Sequence, residues 1–155
     1  MKRIYFSLLI VLIIVLTACS SNTESQKQEK LAPNHEQTEG IEVLPSFLDQ
    51  SSQDMRNVYL AVAQQKELLE QIPCYCGCGD EKIGHRDNYD CFVFDNDKNG
   101  EVIWDSHGIN CQVCIDTAVY SINEYQKGTD IGEIRATIDE TYQQDYPAPT
   151  PTPGV

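Results

Sequence analysis

Pro73-Cys74-Tyr75-Cys76-Gly77-Cys78-Gly79 places three sulfurs within five residues, and its reading governs the rest of the chain. Free structural cysteines have no reason to bunch, whereas thiolates bind soft cations tightly. In an extended strand alternate side chains point to opposite faces, so Cys74, Cys76 and Cys78 cannot serve one ion unless the backbone curls. Gly77 and Gly79 relax the restrictions that oppose curling, and Pro73 stiffens the approach. Further along stand Cys91 and then Cys111-Gln-Val-Cys114, whose two-residue gap turns both sulfurs toward one ion. The second pair opens a helical pattern, and a helix N-terminus favours thiolates, so Cys111 and Cys114 are expected to be the electron-rich half of the constellation.

Around these cysteines the apolar spacing predicts an α+β fold: a small, mainly helical domain with one β-hairpin and a Cys-rich metal-binding loop. Ser51 and Ser52 can cap a helix from about Gln53 to Gln64, with Met55, Val58, Tyr59 and Val62 on its buried face. Leu68, Leu69 and Ile72 mark a short second helix that Pro73 stops. Asp90–Phe94 and Glu101–Trp104 read as the hairpin, placing Cys91 and Val93 on one face, with Asp95-Asn-Asp-Lys-Asn-Gly100 as the turn. Ile115, Ala118, Val119, Ile122 and Tyr125 form a helical stripe ended by Gly128. Asp130 and Glu133 announce a last helix that buries Ile131, Ile134, Ile138 and Tyr142.

The ends of the chain have other roles. Residues 1–18 combine Lys2 and Arg3 with an apolar run too short for a comfortable membrane span, the composition of a secretory signal. Leu16-Thr17-Ala18-Cys19 resembles the lipobox of bacterial lipoproteins, which implies cleavage before Cys19 and a diacylglycerol on its sulfur. The expected location is the extracytoplasmic face of the cell membrane, with the lipid as anchor. Residues 19–45 are polar and read as a flexible, lipidated tether in which His35 is solvated. The Cys-rich domain spans 46–145, and the alternating prolines of 146–155 read as an extended polyproline II tail. Net charge is −13, and −15 once the signal is removed, which excludes a nucleic-acid binder.

The donor set narrows the cofactor. Copper(I) ranks first because closely spaced thiolates can bridge neighbouring soft ions; zinc ranks second, since its sites commonly draw four ligands from two paired motifs. Iron–sulfur chemistry ranks third, being poorly suited to an exposed extracytoplasmic site. The candidate ligands are Cys74, Cys76, Cys78, Cys91, Cys111 and Cys114, with His85 and His107 flanking them as ligands or as groups that orient ligands. Three alternatives compete. Six mature cysteines in an exported domain could form three disulfides, Cys111 and Cys114 could exchange thiols with a substrate, and zinc could be purely structural. Asp95, Asp97, Asn99 and Gly100 mimic the start of a calcium loop, but Ser106 stands where a bidentate Glu belongs. No set of residues suggests catalytic turnover. Buffering, storage or transfer of a metal fits the residues best, with a metal-handling protein as the possible partner.

Pro73–Cys78, His85, Cys91-Phe-Val93, Trp104-Asp-Ser-His-Gly108 and Cys111–Asp116 together resemble the PCYCGC-motif lipoproteins of Gram-positive bacteria over roughly residues 45–145. The resemblance implies a surface lipoprotein and adds little about activity; a copper or heavy-metal role is the expectation drawn from the motif.

Overall fold

Ser52 caps the first helix by accepting a hydrogen bond from the Met55 amide, and α1 runs Gln53–Ala63, as the capping and apolar spacing predict. A short helix, α2 (Lys66–Leu69), buries Leu68 and Leu69 and ends four residues before Pro73. The long helix α3 (Gln112–Gln126) is closed by Gly128, whose φ of 89° permits the turn that a side chain would oppose. Asp130 caps α4 (Ile131–Tyr142) by accepting from the Gly132 amide, and Ile134 and Ile138 fill its buried face. These elements belong to a computed structural model that describes residues 31–80, 82–96 and 100–153. The signal segment, Cys19, and Asp97 and Asn99 of the calcium-like loop lie outside the described residues.

The hairpin forms between β2 (Val93–Asn96) and β3 (Val102–Asp105), antiparallel, with a register shift between Val93 and Asp95. Cys91 is not part of it. Tyr89–Cys91 is a 3-10 turn, so Cys91 enters the core through a bend and does not share a strand face with Val93. The expected single hairpin is also extended: β1 (His35–Thr38) pairs antiparallel with β3, giving the order β1-β3-β2. The tether expectation is therefore corrected for this stretch, and His35 is part of the sheet. His-Glu-Gln-Thr carries no apolar signal; the strand is held by its ladder, by Trp104 Nε1 donating to Thr38 Oγ1 at 2.8 Å, and by Asn34 Nδ2 donating to Asp105 Oδ2 at 3.0 Å.

Tyr59, Phe92 and Trp104 centre the core, with Tyr59 edge-on to Phe92 at 5.1 Å between ring centroids. Each fully buried side chain of this size contributes about 1.5–3 kcal/mol over an exposed one. The buried face of α3 is rotated from the expected stripe. Cys114, Thr117, Ala118, Ser121 and Ile122 face inward, while Val119 and Tyr125 are exposed. The reason is positional: Cys114, in the first turn, is drawn into the core beside Cys74 and Cys91, all three at 0% exposure.

Candidate metal centre

Three elements deliver four sulfurs to one point. Cys74 follows Pro73 in the loop beyond the short second helix, Cys91 closes the 3-10 turn, and Cys114 sits in the first turn of α3. Cys76 arrives because the loop curls, with Gly77 at φ 81°. The Sγ separations are 3.1 Å for Cys74–Cys76, 3.4 Å for Cys74–Cys114, 3.4 Å for Cys74–Cys91 and 3.2 Å for Cys91–Cys114. All four sulfurs lie within 4.8 Å of one another. A zinc–sulfur bond of about 2.3 Å gives tetrahedral edges of about 3.8 Å, so these four pairs need to open by only about half an ångström to seat an ion. All six cysteines of the described residues are free thiols, and no disulfide is present among them.

Cys78 and Cys111 are placed differently. Cys78 is half-buried and belongs to a neighbouring group with Cys76 and His85, whose ligand atoms also lie within 4.8 Å of one another. Cys111 is the residue before α3, half-buried, and lies outside both groups. The structure thus gathers Cys74, Cys76, Cys91 and Cys114, sets Cys78 and His85 beside Cys76, and leaves Cys111 at the margin.

Electrostatics distinguish the sulfurs. Hydrogen bonds from Cys114, Cys74 and Cys91 hold Cys76 far below the usual thiol range, so it is the thiolate of the group. The Cys78 amide adds a further donor to the same sulfur at 3.3 Å. Cys114 is pushed up, chiefly by its bonds to Cys74 and Cys76, and Cys91 by its bonds to Cys114 and Cys74. This corrects the expectation that Cys114 would be electron-rich. The burial of Cys114 among other sulfurs outweighs the helix dipole, which falls off within one turn.

All three histidines of the chain converge on Asp105, which is 1% exposed. His35 Nε2 and His85 Nε2 approach Oδ2 at 3.1 and 3.2 Å, and His107 Nδ1 approaches Oδ1 at 2.6 Å. Burial alone would raise the Asp105 carboxyl, but the bond to His85 and the His107 amide outweigh it and hold it at about 2. Burial pulls His85 down, yet its bond to Asp105 and the nearby Cys76 sulfur outweigh it and push it up to about 9. Sequence reasoning found His85 and His107 but not Asp105, which had no signal beyond its place between Trp104 and His107, nor His35 as their companion.

The residues described here fall within a longer match. Residues 8–155 match the family described as "Protein of unknown function with PCYCGC motif". The chain belongs to that family. No curated protein and no solved structure is significantly similar to it. For this PCYCGC protein the motif is a structural unit: its first two cysteines enter the sulfur group, and its third stands beside His85. The donor chemistry can hold a metal ion.

The tail completes the motif loop in a way composition does not announce. Thr150 accepts from the Cys74 amide at 2.9 Å and donates its own amide to the Cys74 carbonyl at 3.0 Å. Pro147 packs over Gly77, and the Thr150 methyl over Gly79. A side chain at either glycine would meet the tail within 3.2 Å, so the small residues of the motif make room for it.

Proposed function

We propose that this protein binds a soft metal ion, copper(I) first, through Cys74, Cys76, Cys91 and Cys114, and buffers, stores or passes on that ion without catalytic turnover. The convergence of four sulfurs from three elements, three of them wholly buried, is the observation that supports it. Copper(I) is favoured because Cys76 belongs to two adjacent donor groups, and a thiolate so placed suits bridging between soft ions. Structural zinc is the second reading, favoured by four sulfurs that all lie within 4.8 Å of one another. We further propose that Cys19, lipidated, tethers the chain to the extracytoplasmic face of the cell membrane, and that a metal-handling protein receives the ion. The acidic chain would meet cations there and repel nucleic acid.

Metal analysis of protein purified without oxygen tests the first part, with copper(I) and zinc(II) competed against each other. The expected result is bound metal, free thiols after its removal, and loss of the ion in Cys91→Ser and Cys114→Ser. Metal-free protein with no titratable thiol would replace this reading with disulfides; reduction of a disulfide substrate would replace it with a redox protein. Cys19→Ser is expected to release the chain from membranes with its metal content unchanged, and a variant still fully membrane-bound would point to an uncleaved anchor.

A further inference from the structure

We infer that a second metal ion sits beside the four-sulfur group, held by Cys76, Cys78 and the Nδ1 atom of His85, with Cys76 bridging the two ions. The inference rests on the four-sulfur reading and extends it from one ion to a thiolate-bridged pair. Its first support is proximity: the sulfurs of Cys76 and Cys78 and a ring nitrogen of His85 lie within 4.8 Å of one another.

The second support is an unanswered atom. His85 is 4% exposed, and its Nδ1 has no hydrogen-bond partner. A buried ring nitrogen without a partner is unfavourable unless something else uses its lone pair. The opposite nitrogen is fully committed: Nε2 meets Asp105 Oδ2 at 3.2 Å. Asp105 can only accept, so Nε2 keeps its proton, and Nδ1 is the nitrogen whose proton an ion would displace to use its lone pair. A histidine that donates one nitrogen to a carboxylate and offers the other is the usual arrangement of a metal-binding imidazole.

Asp105 in turn cannot drift. Asn34 Nδ2 at 3.0 Å and His35 Nε2 at 3.1 Å hold Oδ2, while the His107 ring and amide hold Oδ1 at 2.6 and 2.7 Å. His35 and His107 are therefore positioning residues that fix the carboxylate, which fixes His85. Their nitrogens facing Asp105 are occupied by it. This also gives β1 a role, because it brings Asn34 and His35 to the carboxylate.

Two thiolates and one imidazole suit zinc(II) or copper(I). Three protein donors leave a tetrahedral ion one open position, as in zinc sites that exchange a ligand; the four-sulfur group, by contrast, is closed. The two ions would thus differ in lability, the outer one leaving first.

Cadmium-113 loaded into the full chain, with histidine labelled with nitrogen-15, tests the inference. The expected result is two cadmium ions per chain, two cadmium resonances coupled to each other through the shared sulfur, and one of them coupled to Nδ1 of His85. His85→Ala and Cys78→Ser should each leave one ion per chain. His85→Gln keeps a donor for Asp105 and serves where His85→Ala fails to fold; should both unfold, the wild-type couplings decide. One ion per chain with no cadmium–nitrogen coupling overturns this inference and leaves the four-sulfur reading standing. Retention of both ions in a folded His85 variant overturns it equally. No bound cadmium at all overturns both.

Discussion

At Cys76 hydrogen bonds from neighbouring sulfurs hold the thiol far below its usual range, so this sulfur carries negative charge in the metal-free group. The same bonds push Cys91 and Cys114 up, which keeps their protons in place at neutral pH. An ion liganded by all four must expel at least those two protons. The sign follows: raising pH removes protons that compete with the metal, so affinity rises with pH and falls in acid. Two protons displaced per ion correspond to about a hundredfold tighter binding per pH unit. Proton release in weakly buffered solution, alongside affinities at two pH values, measures this. Binding that neither releases protons nor responds to pH would mean that the thiols are already ionised, or that the ion sits elsewhere.

Among the elements, the Pro-rich tail reaches the site directly, through the Cys74 main chain. Thr150, 4% exposed, brackets Cys74 with two hydrogen bonds, and Arg135 of α4 donates to the Pro153 carbonyl beyond it. Thr150→Val keeps the shape and removes the acceptor, leaving the buried Cys74 amide without its partner at a cost of about 1–3 kcal/mol. Thr150→Ser keeps the acceptor and loses one methyl, at a cost of about 0.8 kcal/mol. Denaturant unfolding of the metal-free variants measures both, and a Val variant as stable as the Ser variant would show that the tail holds nothing. The tail's contacts were invisible in the sequence because alternating prolines fix a backbone shape without naming its partner. Helices α1 to α4 were legible because caps and apolar spacing are local properties, as at Ser52, Asp130 and Gly128. The strand His35–Thr38 was not, because it is polar and defined by pairing with β3, which no local pattern encodes. Likewise the sulfur group could be read as a set of ligands, but its division into Cys74, Cys76, Cys91 and Cys114 on one side and Cys78 with His85 on the other depends on how distant turns meet.

For the molecule as a whole, the question is which part the metal holds together. A polar Cys-rich loop suggests that everything from 73 to 114 would loosen when the ion is removed, but the packing narrows that segment. Tyr75, Tyr89, Phe92, Val93, Val102 and Trp104 are 2% exposed or less and belong to the same core as Tyr59 and Ile134. They have apolar burial to hold them without a metal. The stretch from Gly77 to Gly84 has almost none: Ile83 is 40% exposed, and Gly77, Gly79, Asp80, Lys82 and Gly84 are all exposed. Among its described residues the main-chain ties are local: the Gly84 amide donates to the Asp80 carbonyl at 2.7 Å, the Lys82 and Ile83 amides to Asp80 Oδ1 at 3.1 Å, and the His85 amide to the Cys78 carbonyl at 3.0 Å. Local stability follows buried contacts, so this stretch belongs to the low end of the range, and metal bonds from Cys76, Cys78 and His85 would supply what packing does not. Hydrogen exchange on metal-free and metal-loaded protein is therefore expected to show a large gain of protection on loading at the His85 amide and its neighbours in 77–86. The amides of α1 and β3 should change little. Equal protection of 77–86 in both forms would show that the tail and core already fix the loop, and it would remove the metal from the list of forces that shape this fold.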